Sequence, residues 1–153
     1  MNALELKVPP LALVAIAAAG MWAVAPVAPK LDVDFPGAVW VASAVALAGV
    51  LIAVLGVLAF RRAGTTVDPR VPEQSETLVV RGVYRFSRNP MYLGFLLILG
   101  AWCLYLGSLL SALFLPAWFA WMNRFQIIPE ERFMLTKFGD SYTRYCAAVR
   151  RWV

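Results

Sequence analysis

The sequence predicts an all-α, polytopic membrane protein with about four transmembrane helices, a cytoplasmic loop and C-terminal amphipathic helices. Three observations predict it. Of 153 residues, 61% are hydrophobic and only 15% charged, against about 45–50% and about 25% in soluble domains. The charges are missing from long stretches rather than thinned evenly. The basic residues, 14 Lys and Arg against 9 Asp and Glu, gather on one side of those stretches. This composition argues against a soluble globule and excludes disorder. The length suits one membrane domain over 1–153. It divides into two N-terminal spans (1–60), a cytoplasmic loop (61–90), a helical hairpin (91–128) and cytoplasmic C-terminal helices (129–153).

The first two spans are Val8–Pro29, between Lys7 and Lys30, and Phe35–Phe60, between Asp34 and Arg61. Each exceeds the roughly 20 apolar residues that cross a ~30 Å hydrocarbon core. Ala23-Val24-Ala25 looks like a signal-peptide cleavage site. Pro26 would follow that cut, however, and the flank pairs Lys7 with Glu5, so the segment reads as a span. Asn89–Asn123 is also uncharged, and Leu106-Gly107-Ser108 divides it into a hairpin, Met91–Leu106 and Leu109–Met122. At ~1.5 Å per residue each arm reaches about 24 Å, which suits a locally thinned or protein-lined region. Pro116 is expected to kink the fourth span.

Orientation follows from the cations. Lys7 precedes the first span, and Arg61, Arg62, Arg70, Arg81, Arg85 and Arg88 follow the second. Arg124, Arg132, Lys137, Arg144, Arg150 and Arg151 follow the fourth, and only Lys30, beside Asp32 and Asp34, lies opposite. The asymmetry predicts an integral, multi-pass protein with both termini and the central loop in the cytoplasm. The net charge of +5 is then a topology signal and a contact with the anionic lipid bilayer. No aromatic-basic stacking module accompanies it, so nucleic acid is not an expected partner.

The loop Arg61–Arg88 opens with turn-formers (Ala63-Gly64-Thr65-Thr66, then Pro69 and Pro72) and passes through extended Thr77-Leu78-Val79-Val80 to Gly82-Val83-Tyr84. Connections beyond about 12–15 residues are usually functional or disordered, and this one is partly apolar, which favours function. Two amphipathic helices follow the hairpin. Glu130–Phe138 is ended by Gly139, and a second begins with Asp140 or Ser141 as N-cap and carries Tyr142, Tyr145 and Val149 on one face.

Histidine is absent, which removes imidazole bases, His-containing zinc sites and Ser-His or Cys-His pairs. Cys103 and Cys146 form no close-spaced motif and read as ordinary buried thiols, with no metal site. Asn89-Pro90 is a helix start on its own terms, with Asn as N-cap and Pro as first residue. The same free backbone N–H groups suit a polar or anionic ligand, whose carboxylate Arg88 is placed to clamp. Pro129-Glu130-Glu131 likewise opens a helix. Its acids also stand at the membrane surface, able to accept from ribose hydroxyls or to balance a cation.

These motifs form an ordered series: Gly82-x-Tyr84, Arg88-Asn89-Pro90-x-Tyr92-x-Gly94, a hairpin, Glu130-Glu131, and Phe138-Gly139-x-x-Tyr142-x-x-Tyr145. The series resembles the isoprenylcysteine carboxyl methyltransferase family and the related phospholipid methyltransferases, over about Thr65 to Trp152. The resemblance implies an S-adenosylmethionine-dependent integral membrane methyltransferase acting on a lipid-like or lipidated acceptor. By position, its cofactor pocket falls on Thr77, Leu78, Val79, Tyr84, Asn89, Pro90, Met91, Tyr92 and Glu130, with Arg88 beside them. Asn89 replaces the family's usual histidine. The family arginine that meets the substrate carboxylate falls on Gln126, the expected substrate-binding residue, with Arg124 as its stand-in. Arg124 and Glu131 are the expected catalytic pair, Glu131 being the nearest proton acceptor for an amine. The acceptor nucleophile stays open among carboxylate, amine and thiol. The alternative from another class is a non-catalytic membrane scaffold that docks on anionic lipid.

Overall fold

The computed structural model describes residues 4–27, 36–64 and 77–153. Lys30, Asp32, Asp34, Arg70 and the turn-formers Thr65, Thr66, Pro69 and Pro72 lie outside the described residues. The described chain is all-α. Helix α1 (Pro10–Val24) opens with a proline at its first position, where a missing N–H is harmless. Helix α2 (Ala38–Arg62) runs 25 residues, and Arg61 and Arg62 complement its negative C-terminal end. A 3-10 turn, Gly82–Arg85, leads to α3 (Pro90–Leu106). Pro90 opens α3, and Gly107, at φ 58, closes it in the left-handed conformation.

After α3 the chain turns through the short α4 (Leu109–Ala112), where the Ser108 hydroxyl accepts from the Ser111 N–H. Helix α5 (Phe114–Trp121) then passes without a break through a π-helical turn, Met122–Ile127, into α6 (Ile128–Phe138). Helix α7 (Asp140–Ala148) follows Gly139 directly, and neither Asp140 nor Ser141 caps it with a side chain.

The predicted four-span, multi-pass topology with both termini in the cytoplasm is corrected by these helix lengths. Among the described residues one helix, α2, is long and apolar enough to cross a membrane. The apolar helices α1 and α3 hold 15 and 17 residues, and the intended fourth span is divided into α4 and α5. Pro116 explains that division. It lacks an N–H, and its ring crowds the carbonyl four residues back, at Ala112, where α4 stops. Gly107 closes α3 at the expected place, whereas the arm that Pro116 was expected only to kink is broken in two.

The packing centre is a seam of small residues. The buried positions of α2 are Ala42, Gly49 and Gly56, every seventh residue, so one stripe of the helix carries almost no side chain. Helix α3 presses Gly94 into that stripe. A Cβ at Gly94 would sit 2.5 Å from the Gly49 carbonyl and 2.9 Å from the Ala53 nitrogen, so the two backbones touch, as small residues allow in membrane helices. The other side of α3 joins α1 and α5 in a core around Met21, Leu99, Trp118, Met122 and Ile127. Away from the seam, α2 leaves Trp40, Leu47 and Leu51 exposed.

Gly94→Ala is expected to push α2 and α3 apart and cost roughly 1–3 kcal/mol, the range for overpacking a tight contact. Thermal unfolding of the purified protein in detergent checks it. At Gly100, where a Cβ meets nothing within 4 Å, the same substitution should be neutral or slightly stabilising.

Candidate functional site

The site forms where a proline disturbs a helix. Pro129 has no N–H to offer the carbonyl of Phe125, four residues earlier, and its ring crowds that oxygen. The chain widens there into the π turn, an arrangement that recurs at functional positions. The freed Phe125 carbonyl accepts the Leu6 N–H at 3.0 Å instead. Gln126 is buried, and its side-chain amide donates to Glu130 Oε1 at 2.5 Å. Across the site, the Tyr92 hydroxyl in the first turn of α3 donates to the same oxygen at 2.6 Å.

Glu130 therefore sits among neutral donors. Burial pushes its carboxyl up to about 8, with the neighbouring Glu131 charge adding to the rise, while the bonds from Tyr92 and Gln126 pull against it. Tyr84, from the 3-10 turn, is buried nearby, and burial drives its hydroxyl well above the ordinary value. Its ring stands edge-on to Phe60 at 5.2 Å, and its carbonyl accepts from Tyr145 at 2.7 Å.

Glu131 has the opposite surroundings. Arg88 Nη2 donates to its Oε1 at 2.9 Å, while Arg151 donates from Nε at 3.0 Å and from Nη2 to Oε2 at 2.6 Å. The hydrogen bond to Glu131 holds the Arg151 guanidinium above its ordinary value. Charge-assisted, two-pronged contacts of this kind are the strong ones. Arg88 Nε is buried with no hydrogen-bond partner among the described residues.

Asn89 departs from its expected role. It makes no side-chain cap on α3. Its amide crosses instead to the Arg151 carbonyl at 2.9 Å, and the Arg88 N–H donates to the Arg150 carbonyl at 3.0 Å. The extended segment after α7 is thereby bound along the start of α3. Trp152 continues it, its ring tilted against Phe119 with centroids 4.7 Å apart, and donates to Asn123 Oδ1 at 3.2 Å.

Of the sequence-derived site residues, Tyr92 and Gln126 meet at Glu130, and Arg88 meets Glu131. Pro90 is buried under them, and Met91 lies against α2 at Gly56. Leu78 packs on the Tyr142, Tyr145 and Val149 cluster, Val79 is buried, and Thr77 is exposed. Arg124 is turned to Glu5, 2.9 Å away, with its guanidinium 5.3 Å from the Phe125 ring centroid. Sequence reasoning placed Tyr145 in the motif series without its partner, and missed Glu5, Arg151 and Trp152. Their partners lie between 20 and 119 residues away, and no local pattern signals such pairings.

Because the folded Glu130 carboxyl titrates well above its ordinary 4.5, the folded state holds more protons than the unfolded chain between those values. Its contribution to stability should fall as pH rises from about 4.5 to about 8, then level off. Thermal midpoints measured across that range should decline less steeply for Glu130→Gln than for the wild type.

The family model for phospholipid methyltransferases matches residues 38–141, which contain Tyr84 through Glu131. An uncharacterized protein of Haemophilus influenzae is 49% identical over 63 residues, 41% of this chain and 100% of that protein. No solved structure matches the chain. The matched region carries the α2–α3 seam, the π turn and both glutamates, and on that match the chain belongs to the phospholipid methyltransferase family of S-adenosylmethionine-dependent membrane methyltransferases.

Proposed function

We propose that the chain methylates an amphiphilic or lipidated acceptor, with S-adenosylmethionine bound between the start of α3, the 3-10 turn and the start of α6. The observation that carries this reading is the pair of unlike carboxylate environments at Glu130 and Glu131. Glu130, fixed by Tyr92 and Gln126, suits ribose hydroxyls, which are neutral donors. The buried and unpartnered Nε of Arg88 suits the carboxylate of the cofactor's amino acid. The residues present thus fit the cofactor at both of its polar ends.

When bound, S-adenosylmethionine supplies a methyl group on a sulfonium, open to in-line displacement by the acceptor nucleophile. The chain's part is positional. Tyr84 and Tyr92 offer aromatic faces to a sulfonium. The family resemblance adds Asn89, Pro90, Met91, Thr77, Leu78 and Val79 to the cofactor's surroundings. Glu131 keeps Arg88 in place, its own charge balanced by Arg151. Gln126, neutral where the family carries arginine, borders the acceptor side. Arg124, paired with Glu5, serves the site from outside it.

Two apolar clefts support a lipid-like acceptor. One, about 550 Å³, is lined by α1, α2 and α3, including Val14, Ala42, Leu99 and Trp102. The other, about 610 Å³, is lined by Leu96, Gly100, Leu115 and Phe119. Both suit alkyl chains.

The test separates the two glutamates. Above about pH 8, where Glu130 is ionised, Glu130→Gln should weaken S-adenosylmethionine binding by about tenfold to a hundredfold, the value of a charge-assisted hydrogen bond. Thermal stability should match the wild type near pH 4.5, where both side chains are neutral. Glu131→Gln should instead lower stability, because it removes the charge that Arg88 and Arg151 share and turns one acceptor oxygen into a donor. Equal and small effects on binding would reduce both acids to helix-start residues and sink the assignment.

A further inference from the structure

Glu5 and Leu6 precede the family-matched residues 38–141, yet they grip the segment that carries Gln126 and Glu130. Arg124 Nη1 and Arg132 Nη2 both donate to Glu5 Oε1, each at 2.9 Å. The Glu5 side chain is 2% exposed, whereas those of Arg124 and Arg132 are 51% and 54% exposed. Two solvated arginines gain little from pairing on their own. A buried carboxylate, by contrast, needs them, since an uncompensated buried charge is strongly destabilising. Between the two arginines, the Leu6 N–H donates to the Phe125 carbonyl. Leu6 adopts φ 60 to do so, a left-handed conformation unfavourable for leucine.

The three grips fall at Arg124, Phe125 and Arg132, on both sides of Gln126 and Glu130. Between those residues the helix changes from π to α geometry, and a π turn is the less common of the two. Were it to relax to a regular helix while α5 stayed in the core, α6 would turn by about 100° per residue of register lost. Gln126 and Glu130 would remain neighbours, but Glu130 would turn away from the Tyr92 hydroxyl.

We propose that Glu5 is a positioning residue for methyl transfer, fixing the π turn through Arg124 and Arg132 so that Gln126 and Glu130 face the cofactor together. This rests on the functional reading above. Gln126 and Glu130 lie in the family-matched region, and Glu5, which precedes it, braces their register.

The experiment measures S-adenosylmethionine affinity by calorimetry on the full chain in detergent, well below the thermal midpoint of every variant. There, a loss of stability alone leaves the dissociation constant unchanged. Glu5→Gln should raise that constant by about tenfold, as expected for a displaced contact. Glu5→Asp, which keeps the charge, should recover most of the loss. Arg124→Gln should weaken binding similarly, and the combined Glu5→Gln, Arg124→Gln variant should be no worse than either, because both break one linkage. If Glu5→Gln does not fold, Arg124→Gln and Arg132→Gln carry the same expectation. Binding within about twofold of wild type in the folded variants, whatever their midpoints, overturns the brace. Failure of the wild type itself to bind overturns the cofactor reading, and the brace with it.

Discussion

Pro129 lacks one hydrogen atom on its backbone, and the site's geometry depends on that absence. A regular helix through this region would bond residue 129 to the Phe125 carbonyl. With no donor available, the carbonyl turns to Leu6 and the turn widens to the π form. The widening sets the rotation of α6, on which Glu130 meets both Tyr92 and buried Gln126. It also delivers Arg124 and Arg132 to a single oxygen of Glu5. A residue that would break an isolated helix is tolerated here because each group it disturbs finds a partner.

Adjacent acids on a helix point about 100° apart, and this protein places them in two electrostatic regimes. Glu130 faces a phenol and an amide, which stabilise its charge only through neutral hydrogen bonds, and burial dominates. Glu131 faces two guanidinium groups, so its charge is balanced at contact. The same residue type thus supplies a proton-sensitive acceptor at one position and a fixed anchor at the next. Arginine at the anchor is well chosen, since its planar fork lets Arg151 engage both carboxylate oxygens.

The parts of this architecture that are legible in the sequence are those encoded by neighbours. Pro90 and Gly107 mark the two ends of α3, and Gly139 marks the end of α6, because each acts on backbone within one turn. The pairings of Tyr92 with Glu130 and of Arg88 with Glu131 join residues that the motif series singled out, whereas Gln126 was indicated by the resemblance alone. Span number was not. Hydropathy reports how apolar a stretch is, while helix length is set by single residues such as Pro116 that composition averages away. The seam of Ala42, Gly49 and Gly56 was also missed, since small residues spaced by seven look like ordinary apolar filler until a second backbone lies against them. Asn89 misled for a different reason. Its capping preference is real, but the Arg151 carbonyl competes for its amide from 62 residues away.

A chain without histidine can perform this chemistry because of where the demand falls. Displacement at a sulfonium carbon needs an aligned nucleophile and no proton transfer when that nucleophile is already anionic, so rigid placement outweighs acid–base capacity. The molecule's investment matches that demand. Its buried polar groups at the site are tied in two contiguous sets, Tyr92–Glu130–Gln126 and Arg88–Glu131–Arg151, with Asn89 and the Arg150 carbonyl binding the second set to the start of α3. Each set spans elements distant in sequence: the first needs α3 docked against α6, and the second also needs the segment after α7. Site assembly and tertiary folding are consequently one event, and the rigidity that the reaction requires is the same rigidity that closes the fold.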